Sequence, residues 1–345
     1  AFDDRVFALD TLNFGSPSDI DGNGRIAIFF TTGVNVLTPA GSTSTIGGFF
    51  FGRDLLSVAS CPGSNAGEMF YMPVPDPDSV VNKAYKNKTS LGNRVASTLA
   101  HEFQHLINQS RRFFVNPGAQ SQEETWRNEG LSHIAEELLY YSVSGNAPRS
   151  NIVLSLLRSS QAQLDAVNFN QVSNLGRLNL YLAATETNAP FASNDNLETR
   201  GAIWQLLRYA ADRKGGTERN SWFALANSLT GGQANFNAVL GDLIALTRDW
   251  AVAQFVDDAG FGVAAIYTNP SWDFRSVLPA LKTPAVFPLA TRALLGGTPV
   301  NFTLNGGSAA YLRFRVPAGA VATITATSSG SPVATSVDFI LVRSQ

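Results

Sequence analysis

The chain has 345 residues, a net formal charge of -2 and only 15% charged residues, so it lacks the basic surplus that phosphate neutralisation needs, which argues against a nucleic-acid binder. No run of about 18 apolar residues occurs, so no membrane span is expected. The single cysteine, Cys61, rules out an intrachain disulfide; with no histidine beside it in sequence, it reads as a small buried or half-buried residue, not a reactive thiol.

The chain opens Ala1-Phe2-Asp3-Asp4 without a basic-then-apolar leader, so any signal or pro-segment is expected to be absent from it. Residues 1–92 read as strand-rich. "RIAIFFTT", "IGGFFFG" and "GEMFYMPV" are short apolar runs bounded by turn formers, the last closed by Pro73, Pro75 and Pro77. The strand around Glu68–Met72 is a candidate edge for pairing with an extended substrate. Ahead of the first run, "SDIDGNGRIAI" sets Asp19, Asp21 and Asn23 at alternate positions before Gly24. Oxygens so spaced can wrap a hard cation such as Ca²⁺, as in the first half of an EF-hand loop. Phe30 stands where the closing glutamate belongs, and an Asx-rich turn is the plainer alternative.

Over 93–112 the apolar period becomes helical, with Val95, Leu99, Phe103, Leu106 and Ile107 on one stripe. After the loop "RFFVNPGAQ", Ser121 and Glu124 form a capping-box pattern that opens a second helix over about 123–142. Helices are also expected in "SNIVLSLLRSSQAQLDA", "TRGAIWQLLRYAADRKGG", "NFNAVLGDLIAL" and "DWAVAQFVDD", with Lys214-Gly215-Gly216 as a stop. Past "LKTPAVFPLATRALLGGTP", Leu312, Phe314 and Val316 alternate with Tyr311, Arg313 and Arg315, the pattern of a half-buried antiparallel sheet. The expected architecture is α+β. A domain over 1–282 has a β-rich N-terminal part and a helical part that carries the chemistry, and an accessory β-sandwich spans 283–345.

That chemistry centres on "VASTLAHEFQHLINQ". Two of the three histidines in the chain, His101 and His105, stand four apart, on one helical face, where two imidazoles can grip one ion. Glu102 falls beside the ion, placed to act as a base. A chance match to this pattern is a roughly one-in-a-thousand event at such histidine content. A catalytic zinc usually takes three protein ligands. Glu129, 24 positions after His105 near the start of the second helix, is the candidate third, brought round by the interhelical loop.

His101-Glu102-x-x-His105 followed by Trp126-x-Asn128-Glu129-Gly130 resembles the gluzincin metallopeptidases. "HEFQHLIN … NEGLSHIAEEL" is similar to the hyicolysin family of secreted bacterial zinc peptidases, most closely over 95–142. The resemblance implies Zn²⁺ on His101, His105 and Glu129, with Glu102 as general base. In thermolysin-like gluzincins an aspartate stands four residues after the ligand glutamate and orients a zinc histidine; here that position is His133. His133 is thus a supporting or transition-state donor, a ligand replacing Glu129, or an ordinary helix-face residue. Glu136 could support a ligand, but a solvated helix charge is the plainer reading of both Glu136 and Glu137. Tyr140, Tyr141 and Tyr181 are the other donor candidates, with Tyr181 carried forward. The Gly-x-Met-Glu-Asn type of exopeptidase motif is missing, which favours an endopeptidase. The implied protein is a secreted, monomeric zinc endopeptidase acting on protein or peptide. The alternatives are a zinc hydrolase of non-peptide amides or esters and an inactive adhesive protein, against which the intact Glu102 argues.

Overall fold

The computed structural model describes residues 2–39, 42, 45–78, 80–81, 87–116, 118–119 and 121–344. Pro117 and Gln120 of the expected interhelical loop lie outside them. The chain begins helical, not as a strand: a wide turn over Phe2–Phe7 runs into α1 (Ala8–Phe14). Phe2, Val6, Asp10 and Phe14 are all buried, a four-residue period that marks one helix face. The polar Asp10 in that stripe hides it from a reading of apolar residues alone.

Three short strands follow: β1 (Ala27–Phe30), then α2 (Thr32–Val36), β2 (Phe49–Phe50) and β3 (Met69–Met72). Their order is β1-β3-β2, with Ala27 opposite Met69 in a parallel pair and Phe49 opposite Tyr71 in an antiparallel one. The strand at Glu68–Met72, expected at an edge, is therefore the central one; β1 and β2 are the edges. Phe70 and Met72 are buried while the residues between them are half-buried, as the period of two requires.

The long α3 (Lys88–Ser110) is opened by a reciprocal cap between Asn87 and Ser90. It buries Leu99, Phe103, Leu106 and Ile107 of the expected stripe, with Val95 half-buried at its start. The next helix, α4 (Thr125–Ser144), starts after Glu124 with no side-chain cap. The Ser121–Glu124 capping box does not form. Instead the Ser121 carbonyl accepts from Arg112 Nε, and Glu124 accepts from Trp126 Nε1. Beyond it come α5 (Leu154–Leu157), α6 (Gln161–Asn170), α7 (Val172–Leu182) and α8 (Leu197–Lys214), which stops before Gly215 as its sequence predicts. α9 (Glu218–Ala226), α10 (Gly232–Leu240), α11 (Leu243–Val256) and α12 (Phe274–Val277) complete the helical part. Asp242 caps the amides of Ile244 and Ala245, so "NFNAVLGDLIAL" is two helices rather than one.

Two glycines set the spacing of the central helices. A Cβ on Gly201 would lie 2.3–2.5 Å from backbone atoms of Arg177 and Leu178, so α7 and α8 touch backbone to backbone there. A Cβ on Gly130 would lie 2.7 Å from the Ile203 and Leu207 side chains, so α4 lies close on α8.

Over 283–344 the strands are only two residues long. They form two separate ladders, β4 (Arg292–Ala293) with β5 (Leu312–Arg313) and β6 (Thr327–Ser328) with β7 (Ser331–Pro332), rather than the facing sheets of a sandwich. Among the described residues no sheet opposes Leu312, Phe314 and Val316, and they stay exposed. The first half of this segment is anchored to the helices. Ala290 N–H donates to Leu182 O, Ala309 N–H to Thr185 O, and Tyr311 O–H to Ala251 O. Arg292 meets both Glu186 carboxylate oxygens at 2.5 and 2.6 Å.

Candidate metal centre

α3 and α4 pack side by side, and their facing sides carry the histidines and carboxylates. One turn apart on α3, His101 and His105 bring their Nε2 atoms to 3.1 Å. From α4, Glu129 places Oε2 3.4 Å from His101 Nε2 and Oε1 3.7 Å from His105 Nε2. The three ligand atoms all lie within 4.8 Å of one another. Two nitrogens each about 2.0–2.1 Å from a tetrahedral Zn²⁺ stand about 3.3 Å apart, close to the observed separation.

The far side of each imidazole fixes which nitrogen faces the centre. His101 Nδ1 lies 2.7 Å from Glu136 Oε1, so it carries the proton and donates to that carboxylate. His105 Nδ1 lies 3.0 Å from Ser132 Oγ, whose own proton goes to Gln104 Oε1 at 2.8 Å, so this nitrogen also donates. Both Nε2 lone pairs are thereby left for a cation. Glu129 Oε2 is buried and has no hydrogen-bond partner among the described residues, an arrangement costly to a carboxylate unless a positive charge meets it. The surroundings favour positive charge at this point: burial alone would depress His101, but the Glu129 and Glu136 carboxylates outweigh it and push the imidazole up to about 10, so that a proton on Nε2 stands where a cation would displace it. Glu129 is held well below the usual carboxylate range; burial opposes this, while His105, His101 and Arg200 enforce it. The donor set, its spacing and its charge fit a zinc ion.

Glu136 and Glu137 are not solvated helix charges. Both are buried. Glu136 receives His101, and Arg177 from α7 approaches its Oε2 at 3.6 Å. Glu137 accepts from Arg208 Nε at 2.9 Å and Trp272 Nε1 at 2.8 Å, inside the helical core. The solvated reading failed because α4 is covered by α3 on one side and α8 on the other, which leaves it no wet face over these turns.

His133 is fully buried. Its Nδ1 lies 3.1 Å from Glu136 Oε1, and its Nε2 stands 3.8 Å from Glu129 Oε2 without a hydrogen-bond partner among the described residues. Burial and then Arg177 pull its pKa down to about 3, so it stays neutral. His101, His133 and Glu136 form a second geometric group of possible ligands, but its Glu136 already serves His101 and Arg177. Tyr181 is also buried, stacked on Trp250 with ring centroids 5.3 Å apart. Glu102 lies beside the histidines on α3, and its Oε2 accepts the Phe50 N–H of β2 at 2.9 Å.

Three contributors escaped the sequence reading. Arg200 from α8 reaches Glu129 Oε1 at 3.0 Å while Asp195 holds its other side at 2.6–2.7 Å. Arg177 and Ser132 support the two imidazole-bearing turns as described. Arg200 opens the run "RGAIWQLLRYAADR", but only the close packing at Gly201 brings that run to the centre. In the turn at 18–24, Asp19 accepts the Gly24 N–H, and Asp21 accepts the backbone and side-chain amides of Asn23. Asn23 Oδ1 takes the Arg25 N–H at 2.6 Å.

No helix among the described residues is long and apolar enough to cross a membrane. No family model matches the chain. The neutral metalloprotease ShpI of Staphylococcus hyicus is 31% identical over 137 residues, 40% of this chain and 29% of that protein. The chain is thus similar to a metalloprotease over less than a third of the relative's length.

Proposed function

We propose that the chain is a secreted, zinc-dependent endopeptidase of the gluzincin type. The observation that carries this reading is the meeting of two imidazole Nε2 atoms 3.1 Å apart with a buried carboxylate oxygen of Glu129 that has no hydrogen-bond partner among the described residues. The similarity to a neutral metalloprotease supports the peptidase class. His101, His105 and Glu129 would hold the metal. A zinc ion so held supplies a water of pKa about 7 and a Lewis acid for the scissile carbonyl. Glu102 takes the proton from the attacking water and delivers it to the leaving amine. Glu136 and Ser132 keep the two rings aimed, and Arg200 offsets the charge of Glu129. His133 and Tyr181, both buried, act as supports for neighbouring groups. The half-buried Arg200 guanidinium, next to Glu129, would be the cation available to meet charge that develops on the substrate.

The deciding experiment is metal analysis of the purified protein with a casein-digestion assay, with and without chelator. One zinc per chain and activity that is lost with chelator and restored by zinc are expected. Metal-loaded protein that leaves casein and short peptides intact but cleaves simple esters would point instead to a non-peptide hydrolase.

A further inference from the structure

We propose a second metal site, for calcium, built from Asp19, Asp21 and Glu68 at the head of the three-stranded sheet. One carboxylate oxygen from each of these residues lies within 4.8 Å of the others. Among the described residues, no lysine or arginine forms an ion pair with any of the three. Asp19 and Asp21 face solvent on the turn before β1, whereas Glu68 is only 3% exposed.

Glu68 is what turns an acidic turn into a site. Its Oε1 accepts the Ser18 O–H and the Ile20 N–H, both at 3.0 Å, which ties the turn to the sheet. Its Oε2 is buried with no hydrogen-bond partner among the described residues. A buried carboxylate oxygen beside two further carboxylates, with no donor and no cation, is strongly unfavourable. A bound cation removes all three penalties together.

The parallel register explains how a residue so distant in sequence closes the loop. Ala27 pairs with Met69, and the Ala27 N–H donates to Glu68 O at 2.8 Å. The carboxylate thus sits at the point where the turn enters β1. Phe30 fills the position where an EF-hand-like loop would carry its own closing glutamate; the neighbouring strand supplies one instead. The donors are oxygen alone, with no imidazole or thiolate, which selects a hard ion over zinc. Two of the three carboxylates lie on an open turn, which suits the adaptable shell of calcium better than the strict octahedron of magnesium. The ion would staple the turn to β3, the strand that also carries β2 against Glu102.

The test keeps zinc saturating throughout and measures thermal unfolding and calorimetric binding with calcium chloride or magnesium chloride. Wild-type protein is expected to bind one calcium, with a midpoint that rises by several degrees between about 0.1 and 10 mM calcium and much less with magnesium. Glu68→Gln and Asp21→Asn should lose that rise and the calorimetric signal while retaining one zinc. Asp21 is exposed, so Asp21→Asn tests the site even if the buried substitution fails to fold. Wild-type protein indifferent to calcium, or an Asp21→Asn variant that responds as wild type does, overturns the proposal.

Discussion

His101 Nδ1 and Glu136 Oε1 lie 2.7 Å apart, in a contact between α3 and α4 that is buried on both sides. It fixes the imidazole tautomer and aims Nε2 at the candidate metal centre. Glu136→Gln leaves all three ligands in place but weakens that hold, because an amide accepts the N–H less strongly and can turn its NH₂ toward the ring. Zinc affinity, measured by competition with a chromophoric chelator, should fall about 10- to 100-fold. An unchanged affinity would mean that the ring is held by packing alone.

Glu102→Gln should reduce kcat by about 10²–10⁴-fold or more while the zinc content stays at one per chain. The ligands are untouched, and the amide cannot accept the proton. A variant that digests casein at near wild-type rate removes Glu102 from the role of base.

Glu129 and His133 make opposite predictions for metal content. Glu129→Ala removes a donor that points at both Nε2 atoms and should release zinc on dialysis. His133→Ala should retain it and lose stability instead, because a buried ring is replaced by a cavity. Zinc kept in the first variant and lost in the second would reverse the assignment.

Asp10 supplies a pH test away from the metal. It is fully buried, neither carboxylate oxygen has a hydrogen-bond partner among the described residues, and burial raises its pKa well above the ordinary carboxylate value. A folded-state pKa above the unfolded one favours the fold at low pH. That contribution is lost as pH rises from about 4 through the raised value. Asp10→Asn should therefore raise Tm near pH 7 relative to wild type, and the two melting curves should converge toward pH 4. A gap that widens on acidification would give the opposite sign and refute the assignment.

Two glycines, one on each of α7 and α8, should behave oppositely. Gly201→Ala forces a Cβ into the backbone of Arg177 and Leu178 and should cost about 1–3 kcal/mol or more. Gly176 has open space where its Cβ would lie, so Gly176→Ala should gain up to about 1 kcal/mol from helix propensity. Denaturant titration of both variants separates the effects.

The grouping of His101, His105 and Glu129 could be anticipated from the residues because most of its donors are local. His101, Glu102 and His105 lie within one helical turn and a half, and Glu129 stands in a recognisable context on the next helix. What escaped was set by contacts distant in sequence. Arg200 reaches Glu129 only because Gly201 admits the backbone of α7. Glu136 and Glu137 look like surface charges until the helices that cover both sides of α4 are in place. The N-terminal stripe was obscured by one buried aspartate. The alternation at 311–316 implied a half-buried sheet, but among the described residues only Leu312–Arg313 pairs, with β4, and no second sheet covers it. Burial depends on what lies opposite, and period alone does not report that.

The Phe50 N–H gives one further consequence. β2 is an edge strand, and this outward-pointing amide is the kind of donor with which an extended peptide would pair. It is instead given to Glu102, the residue assigned to take the proton. A peptide that competes for that amide would uncouple the carboxylate from the strand in the same movement that seats the scissile bond. The resting protein would then keep its base latched, and the arriving backbone would act as the key.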